Sequence, residues 1–228
     1  MRRSWAGFCV LAALVASAPA ATQSKVRQYL STAEGALASG EYEKAEAHID
    51  AIRPPTSIRV IVDWTGVAEA DKPALRQVLD DALQSWNAAT GESLWEVSDS
   101  SAAVRIGFTQ QAQFNGQTVA GRATWTRNVI NLGGQYVGSL RAQIVIGRLC
   151  PDGTRLSDDA LRHTAMHELG HVLGLEDGFT GVMGPMIPAR PAKSVSESDL
   201  LSLLTVRQRA LCVQVSIGLS RAVARRMS

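Results

Sequence analysis

The pentapeptide His167-Glu168-Leu169-Gly170-His171 constrains this chain more than any other feature of its sequence. On an α-helix, residues four positions apart lie on the same face, so both imidazoles can bind one metal ion. Glu168 directly follows the first histidine, where its carboxylate can reach a water on that ion. The pattern therefore predicts a helical zinc site that needs a third ligand and leaves one position open for water.

The third ligand is expected from the residues that follow this helix. Gly174 can adopt the left-handed conformation that ends a helix and turns the chain sharply. Such a turn would bring Asp177 back to the metal, and aspartate oxygen is a competent zinc ligand. Glu176 is a competing oxygen donor that the spacing from Gly174 disfavours. His163 lies one turn before His167, and we expect it to support the site or to face solvent, because three successive turns do not converge on one ion.

The whole stretch reads His-Glu-x-x-His-x-x-Gly-x-x-Asp and is followed by Val182-Met183-Gly184-Pro185. This combination resembles the metzincin clan of zinc peptidases, with a matrixin-like sequence over residues 169–175. The resemblance implies that Met183 forms a tight turn under the metal, with Met186 as the alternative. An aspartate as the last ligand departs from the third histidine of most metzincins and resembles the snapalysin-like bacterial enzymes.

The resemblance implies a zinc metalloendopeptidase that binds one Zn²⁺ through His167, His171 and Asp177. Peptide bonds would be hydrolysed through a zinc-activated water, with Glu168 as the catalytic base that later passes the proton to the leaving amine. A protein or peptide substrate would pair with an edge strand, expected over residues 119–125. Two alternatives stay open: a non-catalytic zinc-containing binding module that uses the N-terminal helical segment, and a zinc amidohydrolase acting on non-peptide substrates.

The fold class expected is α+β, with a metzincin-like (zincin) domain at residues 56–205. It would contain a twisted mixed sheet, an N-terminal packing helix that Asp71 and Pro73 open, an active-site helix capped by Ser157, and a C-terminal helix capped by Ser196 and Asp199. Period-two patterns predict the following strands: 57–64, 94–97, 103–108 and 142–147, with a hairpin between 118–126 and 128–132 and turns at Gly133-Gly134 and Gly138.

Residues 21–55 are expected to form a small helical hairpin that breaks at Ser39-Gly40 and ends at Pro54-Pro55. The hairpin either packs on the main domain or acts as a pro-segment that covers the cleft. Blocking of zinc by a pro-segment cysteine is not available, because no cysteine lies between Cys9 and Cys150. Residues 206–228 form a C-terminal tail that ends in a basic cluster.

Residues 1–20 are interpreted as a signal peptide. Arg2 and Arg3 precede an apolar run at residues 5–16, and small residues then lead to a cut after Ala20, or after Ala18. The run is too short for an ordinary membrane span, although an uncleaved N-terminal anchor is an alternative. We therefore expect a secreted or periplasmic protein without a stable membrane anchor once the signal is removed.

Export also changes the charge and the cysteine count. Loss of residues 1–20 removes two arginines and no acids, so the formal charge falls from +2 to 0. A near-neutral chain gives no reason to expect nucleic acid or an anionic membrane as a partner. Cys150 and Cys212 remain, and an exported protein with two cysteines permits one disulfide. The segment that holds structural zinc and calcium in animal matrixins is not present, so we expect no second zinc and leave calcium open.

Overall fold

The computed structural model describes residues 19–54 and 56–227, so the predicted signal peptide lies almost wholly outside the described residues. The helices of this part are α1 (Pro19–Ala38), α2 (Tyr42–Ile52), α3 (Lys72–Thr90), α4 (Asp158–Leu173) and α5 (Glu197–Met227). The strands are β1 (Ile58–Asp63), β2 (Trp95–Val97), β3 (Val104–Thr109), β4 (Ala112–Phe114), β5 (Gln117–Val119), β6 (Gly121–Leu132) and β7 (Gln135–Gly147).

A five-stranded mixed sheet carries the domain, in the order β2-β1-β3-β7-β6. The first four strands of that order are parallel, and β6 runs antiparallel to β7 at one edge. β4 and β5 form a separate two-stranded ribbon. Helices therefore pack on a sheet that is parallel except at one edge, which confirms the predicted α+β fold class.

The main core lies between this sheet and the helices α3 and α4. Alternate residues of the strands point into it, such as Val60, Ile106 and Ile144, because successive side chains of a strand face opposite sides. α3 buries an apolar stripe at helical spacing, which consists of Leu75, Val78, Leu79, Ala82, Leu83 and Trp86. It ends at Gly91, which has the left-handed conformation.

The prediction of a hairpin between residues 118–126 and 128–132 is wrong. Residues 121–132 form the single strand β6, whose partner β7 begins at Gln135 rather than at Ala142. The turn at Gly133-Gly134 is present, and both glycines have positive φ. A long two-stranded ribbon therefore replaces three short strands.

Gly138, predicted as a turn, lies instead within β7 opposite Val129. A Cβ atom at this position would come within 2.0 Å of the backbone oxygen of Ala47 in α2. The glycine therefore allows a helix to approach the ribbon closely. In a sequence, a glycine that permits close approach of a helix looks the same as a glycine in a turn.

A second core joins the N-terminal hairpin α1–α2 to the distal half of α5. Its buried residues are Val26, Leu30, Ala33, Ala36, Ala45, Ile49, Ile52, Ala210, Val213 and Ile217. Ion pairs between Arg209 and Glu34 and between Arg221 and Glu46 border this core. Residues 206–228, set apart above as a tail, thus continue α5 as far as Met227 and pack on the hairpin.

α5 is also long and apolar enough over Glu197–Val223 to match a membrane span by length and composition. Its inner positions pack within the protein: Leu203 belongs to the main core and Ile217 to the second core. Outer positions such as Leu201 and Leu219 are exposed. One such helix is weak grounds for a membrane span, since core helices share this composition.

The disulfide that the sequence permits is not formed, and both Cys150 and Cys212 are free. Cys150 is partly buried and packs against the main core, after the end of β7. Cys212 is exposed on the part of α5 that packs on the hairpin. The two thiols therefore lie on different parts of the molecule.

Candidate metal centre

α4 carries the predicted zinc motif, and its ends have the expected local chemistry. The Ser157 side chain accepts a hydrogen bond from the amide of Ala160 at 3.2 Å, and Asp158 and Asp159 lie in the first turn, where negative charge is favourable. Gly174, with φ 98°, ends the helix in the left-handed conformation. The chain then turns back across the C-terminal end of α4.

This turn brings together the three predicted metal ligands. Donor atoms of His167, His171 and Asp177 all lie within 4.8 Å of one another. Nε2 of His167 is 3.1 Å from Nε2 of His171. Oδ1 of Asp177 lies 3.2 Å from the first nitrogen and 3.3 Å from the second. Glu176, the competing oxygen donor of the sequence analysis, is not part of this group.

Hydrogen bonds at the outer nitrogens determine what the inner atoms can do. Nδ1 of His167 lies 2.9 Å from the carbonyl of Val182, and Nδ1 of His171 lies 2.9 Å from the carbonyl of Leu175. Carbonyl oxygens only accept, so each Nδ1 carries the proton and each neutral ring turns a lone pair inward. The buried Oδ1 of Asp177 has no hydrogen-bond partner among the described residues. The two imidazole lone pairs and this oxygen therefore face one point.

The electrostatics favour a positive charge at that point. Burial alone lowers the pKa of His167, but the carboxylates of Asp177 and Glu168 outweigh it and leave this pKa raised. Burial opposes ionisation of Asp177, yet the facing imidazoles hold its pKa well below the usual range. Three converging acceptors of this kind fit a tetrahedral zinc ion with one free position.

Glu168 lies beside this group and is buried. Burial raises the pKa of its carboxyl group, and the neighbouring histidines oppose that effect. β6 passes directly over it, since a Cβ atom at Gly121 would lie 2.7 Å from Oε1 of Glu168. A glycine at this position therefore leaves the room that the carboxylate occupies.

The turn at Val182 and Met183 lies below the histidines and is held by a residue for which no motif predicts this role. The buried carboxylate of Asp199 accepts hydrogen bonds from the amides of Val182 and Met183, at 2.9 and 3.2 Å. It also accepts from the amide and hydroxyl of Ser196. Asp199 was predicted only as part of a helix cap, and it also fixes the turn whose carbonyl orients His167.

Close packing fixes the floor of the site. A Cβ atom at Gly170 would come within 2.3 Å of the Met183 sulfur and 3.1 Å of the Trp86 ring. The indole N–H of Trp86 donates to the carbonyl of Met166, at 2.9 Å, and so joins α3 to α4. Met183, rather than Met186, thus contacts the motif helix from below.

His163 is buried and does not belong to the three-donor group. Its Nδ1 accepts a hydrogen bond from the amide of Ala192 at 2.8 Å, which ties the proline-containing loop 187–192 to α4. Burial, and after it the repulsion that a protonated His167 would exert, holds the pKa of His163 below its usual value. A supporting role was one of the two expectations for this residue.

Two further residues of the site have no motif that would have revealed them. Arg127 of β6 is buried and donates to the carbonyl of Val172 at the end of α4, at 2.7 Å, and burial lowers its pKa to about 10. Trp125 stacks on His171, with ring centroids 5.9 Å apart. β6 therefore lies along the metal-binding helix, where an edge strand was expected.

The profile of the family described as Matrixin matches residues 61–204. The chain belongs to the matrixin family. Membership confirms the metzincin resemblance and makes this protein a metallopeptidase of a family that uses zinc. The matched region of the matrixin domain runs from β1 into α5, and the hairpin α1–α2 lies outside it. No curated protein matches the chain significantly.

Proposed function

We propose that this matrixin is an exported zinc endopeptidase whose zinc ligands are His167, His171 and Asp177. The convergence of two imidazole lone pairs and one buried carboxylate oxygen on a single point carries the proposal. Export is proposed from the signal pattern of residues 1–20 and agrees with the usual extracellular location of matrixins. Calcium, left open above, has no support among the described residues.

When bound, zinc would act as a Lewis acid that polarises the scissile carbonyl and acidifies the attacking water. Glu168 would accept a proton from the attacking water as general base and would pass it to the leaving amine. The walls around it exclude bulk solvent, and burial favours a proton on its carboxyl group. The hydrogen bonds of the outer imidazole nitrogens keep His167 and His171 in the tautomer that can bind metal.

The substrate backbone binds along the outer edge of β6, which lies over α4. Unpaired backbone groups of an edge strand accept an extended peptide as an additional strand. The stacking of Trp125 on His171 holds this edge beside the metal site. A peptide bond of the added strand would thus be presented to Glu168, which supports peptides rather than other amides as substrates.

The test is digestion of an unfolded protein by the chain from Ala21 onward, beside Glu168→Ala. We expect the wild type to cleave at internal peptide bonds and the variant to lose about 10²–10⁴-fold in kcat/KM while keeping one zinc per chain. Glu176→Ala serves as the matched control and should retain activity. Loss of zinc from Glu168→Ala would contradict the assigned role, and inactivity of the zinc-loaded wild type would favour the binding-module alternative.

A further inference from the structure

The hydrogen-bond pattern of the ribbon defines which atoms of β6 face its free edge. The amide of Gly147 donates to the carbonyl of Ala120 at 2.8 Å, and Gly121 is paired with Ile146 in the same register. In an antiparallel ladder, bonded and non-bonded pairs alternate. Even-numbered residues of β6 therefore bond to β7, and odd-numbered residues turn their N–H and C=O groups outward.

The outward residues nearest the metal-binding helix are Gly121, Ala123 and Trp125. Gly121 lies over Glu168, and Trp125 lies over His171. Since β6 is the last strand of the sheet, Gly121, Trp125 and the carbonyl of Ala123 offer backbone groups to an added peptide, whereas the amide of Ala123 is directed at the carboxylate of Glu168. At about 3.3 Å per residue, the stretch from Gly121 to Trp125 has room to pair with about five substrate residues.

The next outward residue, Arg127, is already occupied. Its carbonyl accepts a hydrogen bond from the hydroxyl of Tyr29, which α1 brings from 98 positions away. Tyr29 is held in turn by the ring of His48 in α2, at a centroid distance of 5.5 Å. Val26, one turn earlier in α1, lies against Gly174 at the end of the metal-binding helix. The hairpin therefore stands at the point where the edge would otherwise continue.

The hairpin is built into the molecule and is not a loosely attached cover. It shares the second core with α5, and Ala47 packs on the backbone of β7 at Gly138. Toward β6 and α4, Tyr29 bonds to Arg127 and Val26 lies against Gly174, and neither residue belongs to the group of His167, His171 and Asp177. The hairpin thus limits the groove at one end and adds no donor to the metal site.

We propose that Tyr29 is a specificity-determining residue that closes the Arg127 end of the substrate edge. This inference rests on the proposed peptidase function and specifies its substrate class: peptides of which only about two or three residues pair with β6 on the closed side. A substrate antiparallel to β6, the pairing that β7 itself uses, has its N-terminal part on that side. Further residues toward the substrate N-terminus leave the edge and gain no backbone hydrogen bonds.

The experiment uses one nested series of peptides. A common core, the shortest peptide that zinc-loaded Glu168→Ala binds, is extended one residue at a time at either end. Affinity for Glu168→Ala and kcat/KM of the wild type should become constant beyond about three residues on the N-terminal side. A steady increase in affinity and in kcat/KM over six added N-terminal residues would overturn the inference. So would values that become constant only when residues are added at the C-terminal side.

The Tyr29→Ala exchange tests the residue itself, in the same Glu168→Ala background for binding. Opening the edge should raise affinity about 2- to 10-fold for each newly formed backbone hydrogen bond. The peptide length at which affinity becomes constant should therefore increase. Tyr42→Ala, the other tyrosine of the hairpin that packs on the second core, is the matched control and should keep the limit unchanged. An unchanged limit in Tyr29→Ala, with the same thermal stability as Tyr42→Ala, would contradict the assignment.

The two proposals fail in different ways. Peptides that bind with the expected limit, but that the wild type does not hydrolyse, would refute the peptidase function and leave the closed edge in place. Hydrolysis without any limit on the N-terminal side would refute the closed edge and leave the peptidase function in place.

Discussion

At the scale of single residues, the choice between Asp177 and Glu176 decides the composition of the proposed metal site. Oδ1 of Asp177 lies 3.2 Å from His167, whereas Glu176 is not among the converging donors. Loss of a group that merely supports a ligand costs about 10–100-fold in metal affinity. We therefore expect Asp177→Ala to weaken zinc binding by at least about 100-fold, as measured by competition with a chelator.

Glu176→Ala, one position away and equal in charge change, is the control for that measurement. It should bind zinc within about twofold of the wild type, because its carboxylate lies outside the group of converging donors and a partly exposed charge is screened. Equal losses in both variants would mean that the turn, and not the Asp177 oxygen, supports the metal.

Residues of the motif were predictable because their spacing is local. His167, Glu168 and His171 need only helical periodicity, and Asp177 needs only the turn at Gly174. Arg127, Tyr29 and the role of Asp199 at the Met183 turn could not be inferred, because each acts through a partner 16 to 98 positions away. Such contacts depend on how elements pack, which no spacing within the chain records.

At the scale of elements, the turn of Val182 and Met183 depends on a carboxylate from α5. Asp199→Ala removes two charge-assisted hydrogen bonds to this turn as well as the cap at Ser196. We expect it to lower the free energy of unfolding by about 3–6 kcal/mol. Urea unfolding of the zinc-loaded protein measures this loss.

Ser196→Ala separates the two roles of Asp199. It removes the hydroxyl that caps α5 but keeps both bonds to the turn, so it should cost only about 0.5–2 kcal/mol. A similar loss in both variants would show that Asp199 matters as a helix cap and not as the anchor of the turn.

The ribbon β6–β7 is the part of the secondary structure that the sequence patterns did not predict correctly. Strands at residues 57–64, 94–97 and 103–108 were predicted within one or two residues, since each alternates apolar and polar side chains between clear breaks. The ribbon is only partly buried and includes Gly138 for contact with α2. Its glycine and its exposed positions resemble loop composition, so one long strand was divided.

At the scale of the whole molecule, the packing of the hairpin indicates whether it is a removable pro-segment or a permanent part of the fold. Deletion of residues 21–55 would expose Val213 and Ile217 and uncover the buried Arg127. The two apolar side chains alone represent roughly 3–6 kcal/mol of burial. We therefore expect the truncated chain to have a lower Tm and less activity than the chain from Ala21 onward.

Thermal unfolding and peptide hydrolysis, measured on the same preparations, test this expectation. A chain truncated before its purification should also aggregate more readily, because the distal half of α5 loses its cover. A truncated chain with unchanged Tm and higher kcat/KM would mean that the hairpin is an inhibitory pro-segment.

α5 passes from one core into the other without a break, with Leu203 in the first and Ile217 in the second. Its 31 residues span about 46 Å, so one continuous helix connects the matrixin domain to the core that it shares with the N-terminal hairpin. We expect this connection to make the domain and the hairpin unfold in one transition. A destabilising change deep in the hairpin, far from the three converging donors, would then lower the Tm of the metal-binding domain as well.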